Sequence, residues 1–152
     1  PGTGKTTQAV EAIRYHVGAG ERCRYYTEND LLRLLRPDGG LTLDAVVGFD
    51  LLAIDEFGSD ARTDWQSQQI KSIVDARYRH RRPTIFATNH SLKTIARRPG
   101  LGRVVAERIY EGLGGREGMD DPAGKYLQYQ YSWRIAKRVA LPEGCITTQR
   151  SS

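Results

Sequence analysis

The chain opens with a glycine-rich run that carries one lysine and two threonines. Pro1-Gly2-Thr3-Gly4-Lys5-Thr6 matches the final part of the pattern G-x-x-x-x-G-K-[ST], and Thr7 follows it. Glycines let backbone N–H groups turn around phosphate oxygens, the lysine brings a positive charge to the β- and γ-phosphates, and the threonine hydroxyl binds Mg²⁺. A chance glycine-rich turn is the alternative. We predict that ATP is bound by Pro1, Gly2, Thr3, Gly4, Lys5, Thr6 and Thr7.

Two adjacent carboxylates follow a short apolar run further along the chain. Leu51-Leu52-Ala53-Ile54 leads directly into Asp55 and Glu56, which is a Walker B pattern. A buried parallel strand places such residues at its carboxyl end, where ligands of open α/β sheets bind. Asp55 is expected to hold Mg²⁺ directly or through water, and Glu56 to polarise the attacking water. The alternative is a strand followed by an acidic turn, since Gly58 and Asp60 come next.

A single amide follows another apolar run. Asn89 comes directly after Thr84-Ile85-Phe86-Ala87-Thr88. Beside an acidic strand, a neutral amide can bind the same water or the γ-phosphate without titrating, although an asparagine at this place is also typical of a turn. The catalytic residues predicted so far are Lys5, Glu56 and Asn89, and the predicted metal ligands are Thr6 and Asp55.

The elements that must hold these residues alternate between helix and strand. A spacing of four between Ala9, Ile13 and Val17 predicts a helix that begins at Lys5, directly after the glycine-rich run. The predicted strands are 22–27, 51–55, 84–88 and 126–133. The other predicted helices begin near Asn29, Thr42, Thr63, Ser91 and Arg103, and the core candidates of the long fourth helix include Trp65, Ile70, Ile73 and Val74. This order predicts a three-layer α/β fold with a mainly parallel sheet and right-handed crossovers.

Composition limits the class of protein. The chain has 152 residues, of which 39% are hydrophobic and 27% charged, and this composition is typical of one globular domain. It contains no apolar run of about 18 residues and does not start like a signal peptide, so we expect a cytoplasmic protein with no membrane contact. The net charge of +5 favours anionic partners, with nucleotides and nucleic acids first.

The densest run of charge lies at the end of the long predicted helix. Arg77-Tyr78-Arg79-His80-Arg81-Arg82 could bind single-stranded DNA, with arginines on phosphates and the tyrosine stacked on a base. A solvated helix end, where cations complement the negative end of the helix, is the interpretation we favour.

Together these motifs resemble AAA+ ATPases, and within them the DnaC/DnaI-type helicase loaders and the related IstB-type transposition ATPases. The resemblance runs from Pro1 to about Arg138 and includes Leu-Leu-Ala-Ile-Asp-Glu-Phe-Gly, Pro-Thr-Ile-Phe-Ala-Thr-Asn and Tyr-Ser-Trp-Arg. It implies a P-loop NTPase core over 1–138, with a sheet order of 5-1-4-3-2 when complete, and a tail over 139–152. It also implies that the first strand is missing from this chain and that there is little or no helical lid.

The resemblance assigns roles to arginines that no local pattern reveals. It implies that Arg108, in Ala-Glu-Arg-Ile, is an arginine finger that reaches the ATP of a neighbouring subunit, so the protein would self-associate. Arg103 is the second choice for that role, and Arg134 matches a second sensor arginine that contacts the nucleotide. The alternative for Arg108 is a residue that only solvates one side of its helix.

The implied function is an ATP-hydrolysing helicase loader that acts in the initiation of DNA replication. Its expected partners are a replicative helicase and single-stranded DNA. Three alternatives stay open: an IstB-like transposition helper, a small P-loop kinase, and an ATP-dependent binding switch with negligible turnover. The family often has Asp-Asp where this chain has Asp55-Glu56, and the region by which such loaders grip the helicase is not among these residues.

Overall fold

A four-stranded sheet with six helices forms the part of the protein that the computed structural model describes, which is residues 4–58 and 62–112 and the backbone of 127–130. The strands are β1 (Cys23–Thr27), β2 (Leu51–Asp55), β3 (Thr84–Ala87) and β4 (Leu127–Gln130). The helices are α1 (Lys5–Gly18), α2 (Glu28–Leu34), α3 (Leu43–Gly48), α4 (Asp64–Arg79), α5 (Leu92–Arg97) and α6 (Gly102–Gly112). No helix in these ranges has the length and apolar content that crossing a bilayer would require.

The strands lie in the order β1-β2-β3-β4. β1, β2 and β3 are parallel, with Thr27 opposite Asp55 and Ile54 opposite Phe86, so that their carboxyl ends share one edge of the sheet. β4 pairs with β3 in the antiparallel direction. All residues of β2 and β3 are buried, as expected for strands covered on both faces. The α/β fold with a mainly parallel sheet is confirmed.

The two faces of the sheet carry cores of different size. Because side chains alternate along a strand, Leu52, Ile54 and Phe86 face a large core that includes residues of α2 to α6. Leu51, Ala53, Ile85 and Ala87 face the other way, toward a smaller core beneath α1. Asp55 has the parity of Leu51 and Ala53, and it therefore lies on the α1 face.

The buried side of α1 differs from the predicted one. Ala9, Ala12 and His16 are buried, whereas Ile13 is only half-buried and Val17 is 49% exposed. Small side chains let the helix approach the sheet, where it contacts Cys23 and the alanines of β2 and β3. The spacing of four therefore predicted the helix correctly, but it did not identify all of the residues that the helix buries.

Side-chain caps fix where several helices begin. Thr27 accepts a hydrogen bond from the Asp30 backbone N–H and so caps α2, which was predicted to begin near Asn29. Thr63 and Gln66 form a capping box at the start of α4. The first cap lies where the chain leaves the carboxyl end of β1, and the second lies at the start of the long helix α4.

The long helix α4 buries most of its predicted core residues and one arginine. Ile70, Ile73 and Val74 are buried, but Trp65 is 36% exposed. Trp65 comes five residues before Ile70, which rotates it about 140° around the helix and away from the core. The prediction that Trp65 belongs to the core was wrong, and Arg77 instead continues the buried stripe.

Arg77 is a fully buried cation. Its guanidinium donates hydrogen bonds to the carbonyls of Val46, Val47, Phe49 and Pro83 and to the Thr84 hydroxyl, at 2.6–3.1 Å. It therefore ties the end of α3 to the start of β3. At this residue the favoured interpretation of the basic run, a solvated helix end, is wrong, because Arg77 is buried. The same run places Tyr78 under the guanidinium of Arg108, whose Cζ lies 4.7 Å from the ring centroid.

Candidate nucleotide and metal site

The described part of the predicted phosphate loop leads directly into the start of α1, which is the positive end of that helix. Gly4 has a left-handed backbone with φ 73°, and α1 begins at the next residue, Lys5. Thr6 and Thr7 are exposed in the first turn. A helix start whose N–H groups have no helical partner attracts phosphate oxygens. Pro1, Gly2 and Thr3 lie outside the described residues, so their predicted contacts with ATP stay predictions.

The carboxylate of Asp55 is the centre of the site. Its Oδ2 accepts hydrogen bonds from the Thr6 hydroxyl and from the Tyr25 hydroxyl, each at 2.6 Å, and its Oδ1 accepts one from the Glu56 backbone N–H at 2.8 Å. Thr6 and Asp55 are 49 residues apart in the chain. The structure thus brings together the two residues that the sequence predicts as metal ligands.

These oxygen atoms fit a magnesium ion. Mg²⁺ is held in proteins by few carboxylate and hydroxyl oxygens and keeps several of its waters. A carboxylate and a threonine hydroxyl within hydrogen-bonding distance, beside a helix start that attracts phosphate, form such a donor set. The residues that would hold the ion are Thr6 and Asp55.

Tyr25 is a site residue that the sequence interpretation missed. It lies on β1, and burial together with the hydrogen bond to Asp55 raises the pKa of its phenol above the ordinary value. The hydroxyl therefore stays protonated at neutral pH and acts as the donor. Only the parallel register of β1 with β2 brings Tyr25 to Asp55, and a tyrosine in a β-prone run carries no local sign of it.

Glu56 and Asn89 are both exposed at the carboxyl edge of the sheet. Glu56 has φ 53°, a left-handed conformation that is costly for a residue with a side chain. The next residue, Phe57, donates its backbone N–H to the Ala87 carbonyl and accepts a hydrogen bond from the Thr88 hydroxyl at 2.6 Å. These bonds hold the ends of β2 and β3 together, directly beside Glu56 and Asn89.

A buried ion pair supports the segment after β2. Glu28, the first residue of α2, accepts a hydrogen bond from Arg62 Nε at 2.5 Å and another from the Gly58 backbone N–H at 2.9 Å. The side chains of Glu28 and Arg62 are 1% and 3% exposed. Glu28 thus ties the start of α2 to Gly58, shortly after the two acids, and to Arg62, shortly before α4.

The structure does not bring Arg108 to the Thr6–Asp55 site. Arg108 projects from α6 onto α4, where its Nε lies 3.3 Å from Asp75 and its Nη1 lies 3.1 Å from Glu111. Asp75 is near the end of α4, which runs away from the carboxyl edge, and α6 packs on the face opposite α1. Arg103 is exposed and bonds Glu107 at 2.5 Å. Arg134 lies outside the described residues, as does the predicted tail over 139–152.

Comparison with known proteins gives an informative structural neighbour. No protein-family model and no curated protein matches the chain. Among solved structures, the crystal structure of the DnaC helicase loader matches it with a TM-score of 0.64 and 31% sequence identity, over 73% of this chain and 70% of that one. The mixed α/β fold, with the parallel strands β1, β2 and β3, agrees with the AAA+ resemblance. The chain belongs to the DnaC family of AAA+ helicase loaders.

Proposed function

We propose that this protein binds ATP with Mg²⁺, hydrolyses it, and uses this cycle to load a replicative helicase at the initiation of DNA replication. The observation that carries the proposal is the 2.6 Å hydrogen bond between Thr6, at the start of α1, and Asp55, at the end of β2. It supports a phosphate loop and a Walker B acid that act on one ligand.

The residues of the site take separate roles in this proposal. The run Pro1–Thr7 surrounds the phosphates, and Lys5 neutralises charge on the β- and γ-phosphates. Thr6 and Asp55 hold Mg²⁺, which supplies positive charge to the phosphate oxygens. Glu56 orients and polarises the attacking water, and Asn89 binds that water or the γ-phosphate. Arg134 is assigned to the nucleotide as a second sensor.

Arg108 acts on a neighbouring subunit in this scheme. Its contact with Asp75, near the end of α4 that is remote from the carboxyl edge of the sheet, supports action in trans, since Arg108 does not contact the Thr6–Asp55 site of its own chain. Self-association would then complete the site, and a monomer would hydrolyse ATP slowly. The helicase partner is proposed because the DnaC relative is a helicase loader, and single-stranded DNA is proposed because the chain is basic.

Nucleotide binding is tested first with Lys5→Ala in the intact protein. We expect its affinity for ATP·Mg²⁺ to fall at least about tenfold, because the lysine charge on the phosphates is lost. Lys71→Ala is the matched control, since Lys71 is an exposed lysine on α4, and it should bind as the wild type does. Equal ATP affinity for Lys5→Ala and the wild type, measured by calorimetry, would refute the proposal.

The loader assignment needs a partner measurement. Phosphate release by the intact protein should rise when single-stranded DNA is added, and the protein should co-purify with a hexameric replicative helicase when ATP is present. If the protein hydrolyses ATP but neither responds to DNA nor co-purifies with the helicase, the proposed ATP hydrolysis stands and the proposed loader function is refuted.

A further inference from the structure

The Asp55 carboxylate accepts three hydrogen bonds from the described residues, and one of the donors, Tyr25, has no part in the predicted nucleotide and metal site. Among the described residues, Oδ2 accepts from both Thr6 and Tyr25, so its two lone pairs are used, while Oδ1 accepts only from the Glu56 backbone N–H. One acceptor position therefore remains, on Oδ1. The hydroxyl of Tyr25 and the backbone N–H of Glu56 hold the carboxylate from opposite oxygens.

We propose that Tyr25 is a positioning residue for magnesium, which fixes the Asp55 carboxylate so that it presents one oxygen toward the metal and its waters. The inference rests on the proposed ATP and Mg²⁺ site. Ligands that are already oriented lose less conformational freedom when the metal binds, and loss of an outer hydrogen-bond partner commonly weakens metal binding. Tyr25 itself touches Asp55 and does not need to touch the metal.

The position of Tyr25 in the sheet supports a specific role. Tyr25 and Tyr26 are neighbours on β1 and so point to opposite faces. Tyr25 packs against the smaller core on the α1 face, and Tyr26 packs against the large core on the other face. Both provide similar apolar surface, but the hydroxyl of Tyr25 reaches the candidate metal ligand. The pair therefore offers a matched comparison within one strand.

The test measures ATP affinity by calorimetry, with Mg²⁺ and again with excess chelator, for the wild type, Tyr25→Phe and Tyr26→Phe. We expect Mg²⁺ to improve the affinity of the wild type and of Tyr26→Phe by the same factor. For Tyr25→Phe that factor should be about ten- to a hundredfold smaller, which is the usual effect on metal affinity when a metal ligand loses an outer hydrogen-bond partner. The affinity in chelator should be unchanged, and this readout separates positioning from loss of fold.

A further variant excludes an indirect effect. In an Asp55→Asn background, Tyr25→Phe should have no additional effect on the Mg²⁺ dependence, because both changes act on the same interaction. The inference is overturned if Mg²⁺ improves the ATP affinity of Tyr25→Phe by at least the same factor as that of the wild type. It is also overturned if Tyr26→Phe reduces this factor as much as Tyr25→Phe does. If the wild type itself does not bind ATP, the proposed function fails, which is a different result.

Discussion

Glu56 has a backbone conformation that opposes folding. Its φ of 53° lies in the left-handed region, where a Cβ atom clashes with the backbone and a glycine does not. The neighbouring bonds at Asp55 and Phe57 hold it there. Such strain at an exposed acid beside the candidate metal site is expected when the position of the side chain matters more than stability.

We predict that Glu56→Gly is more stable than Glu56→Ala by about 1 kcal/mol, while both variants lose ATP hydrolysis. Urea unfolding measures the first quantity and phosphate release the second. The control is Glu107, an exposed residue inside α6, where the order reverses because glycine weakens a helix by about 1 kcal/mol relative to alanine. If the alanine variant were more stable than the glycine variant at both positions, the backbone of Glu56 would not have the left-handed conformation.

Arg77 shows how a charge can be part of the core. Burial lowers the pKa of its guanidinium to about 9, so the group is still cationic at neutral pH. The planar guanidinium reaches five acceptors, which the three donors of a lysine cannot match.

Arg77→Lys is therefore expected to lower the free energy of unfolding by about 3 kcal/mol or more, since at least two hydrogen bonds from a buried charge are lost. Arg79→Lys, two residues away on the exposed side, should change it by less than about 0.5 kcal/mol. Chemical denaturation of both variants gives the comparison. Equal stabilities would show that the Arg77 side chain is not enclosed.

At the scale of elements, the Glu28–Arg62 pair joins α2 to the segment between β2 and α4. Arg62→Met should destabilise the protein by about 3–5 kcal/mol, because it leaves the buried carboxylate of Glu28 unpaired. Adding Glu28→Gln to it removes that charge but keeps an acceptor for the Gly58 N–H.

We expect the double variant to recover at least about 1 kcal/mol relative to Arg62→Met alone, as measured by urea unfolding. The exposed pair of Arg103 and Glu107 is the control, and Arg103→Met should cost less than about 0.5 kcal/mol. A double variant that is less stable than the single one would contradict the buried ion pair.

The elements themselves were largely predictable from the sequence. Strand β2 has the predicted bounds, and α1 and α4 begin where the glycine run and Thr63 indicate, because periodicity and caps are local signals. The contact between Thr6 and Asp55 could be predicted because each residue belongs to a recognisable motif, the glycine-rich run and the apolar run that ends in two acids. Tyr25, Arg77 and the Glu28–Arg62 pair could not be predicted, since each depends on the register and packing of segments distant in the chain. The exposure of Trp65 depended on which side of α4 the sheet covers.

At the scale of the whole molecule, the separation of Arg108 from Asp55 predicts that two chains complete one site. Arg108→Ala and Glu56→Gln should each lower phosphate release by at least about tenfold. In an equimolar mixture, some interfaces combine an intact Glu56 from one chain with an intact Arg108 from the other. We therefore expect activity to reappear on mixing.

The mixing experiment has a matched control. Glu56→Gln mixed with the double variant Glu56→Gln/Arg108→Ala contains no chain with an intact acid and should stay inactive. If Arg108→Ala and Glu56→Gln also fail to restore activity together, although both bind ATP and associate, Arg108 does not act in trans.

The unequal cores on the two faces of the sheet have a consequence for how the protein opens. Among the described residues, α1 is held by a small core rich in alanine, whereas α4 belongs to the large one. Amide hydrogens in α1 should therefore exchange with deuterium sooner than those in α4, as expected for a locally opening unit. Bound ATP would add a second attachment at the start of α1, and mass spectrometry should show exchange slowing in α1 more than in α4. The segment that receives the nucleotide would then also be the one whose opening the nucleotide suppresses.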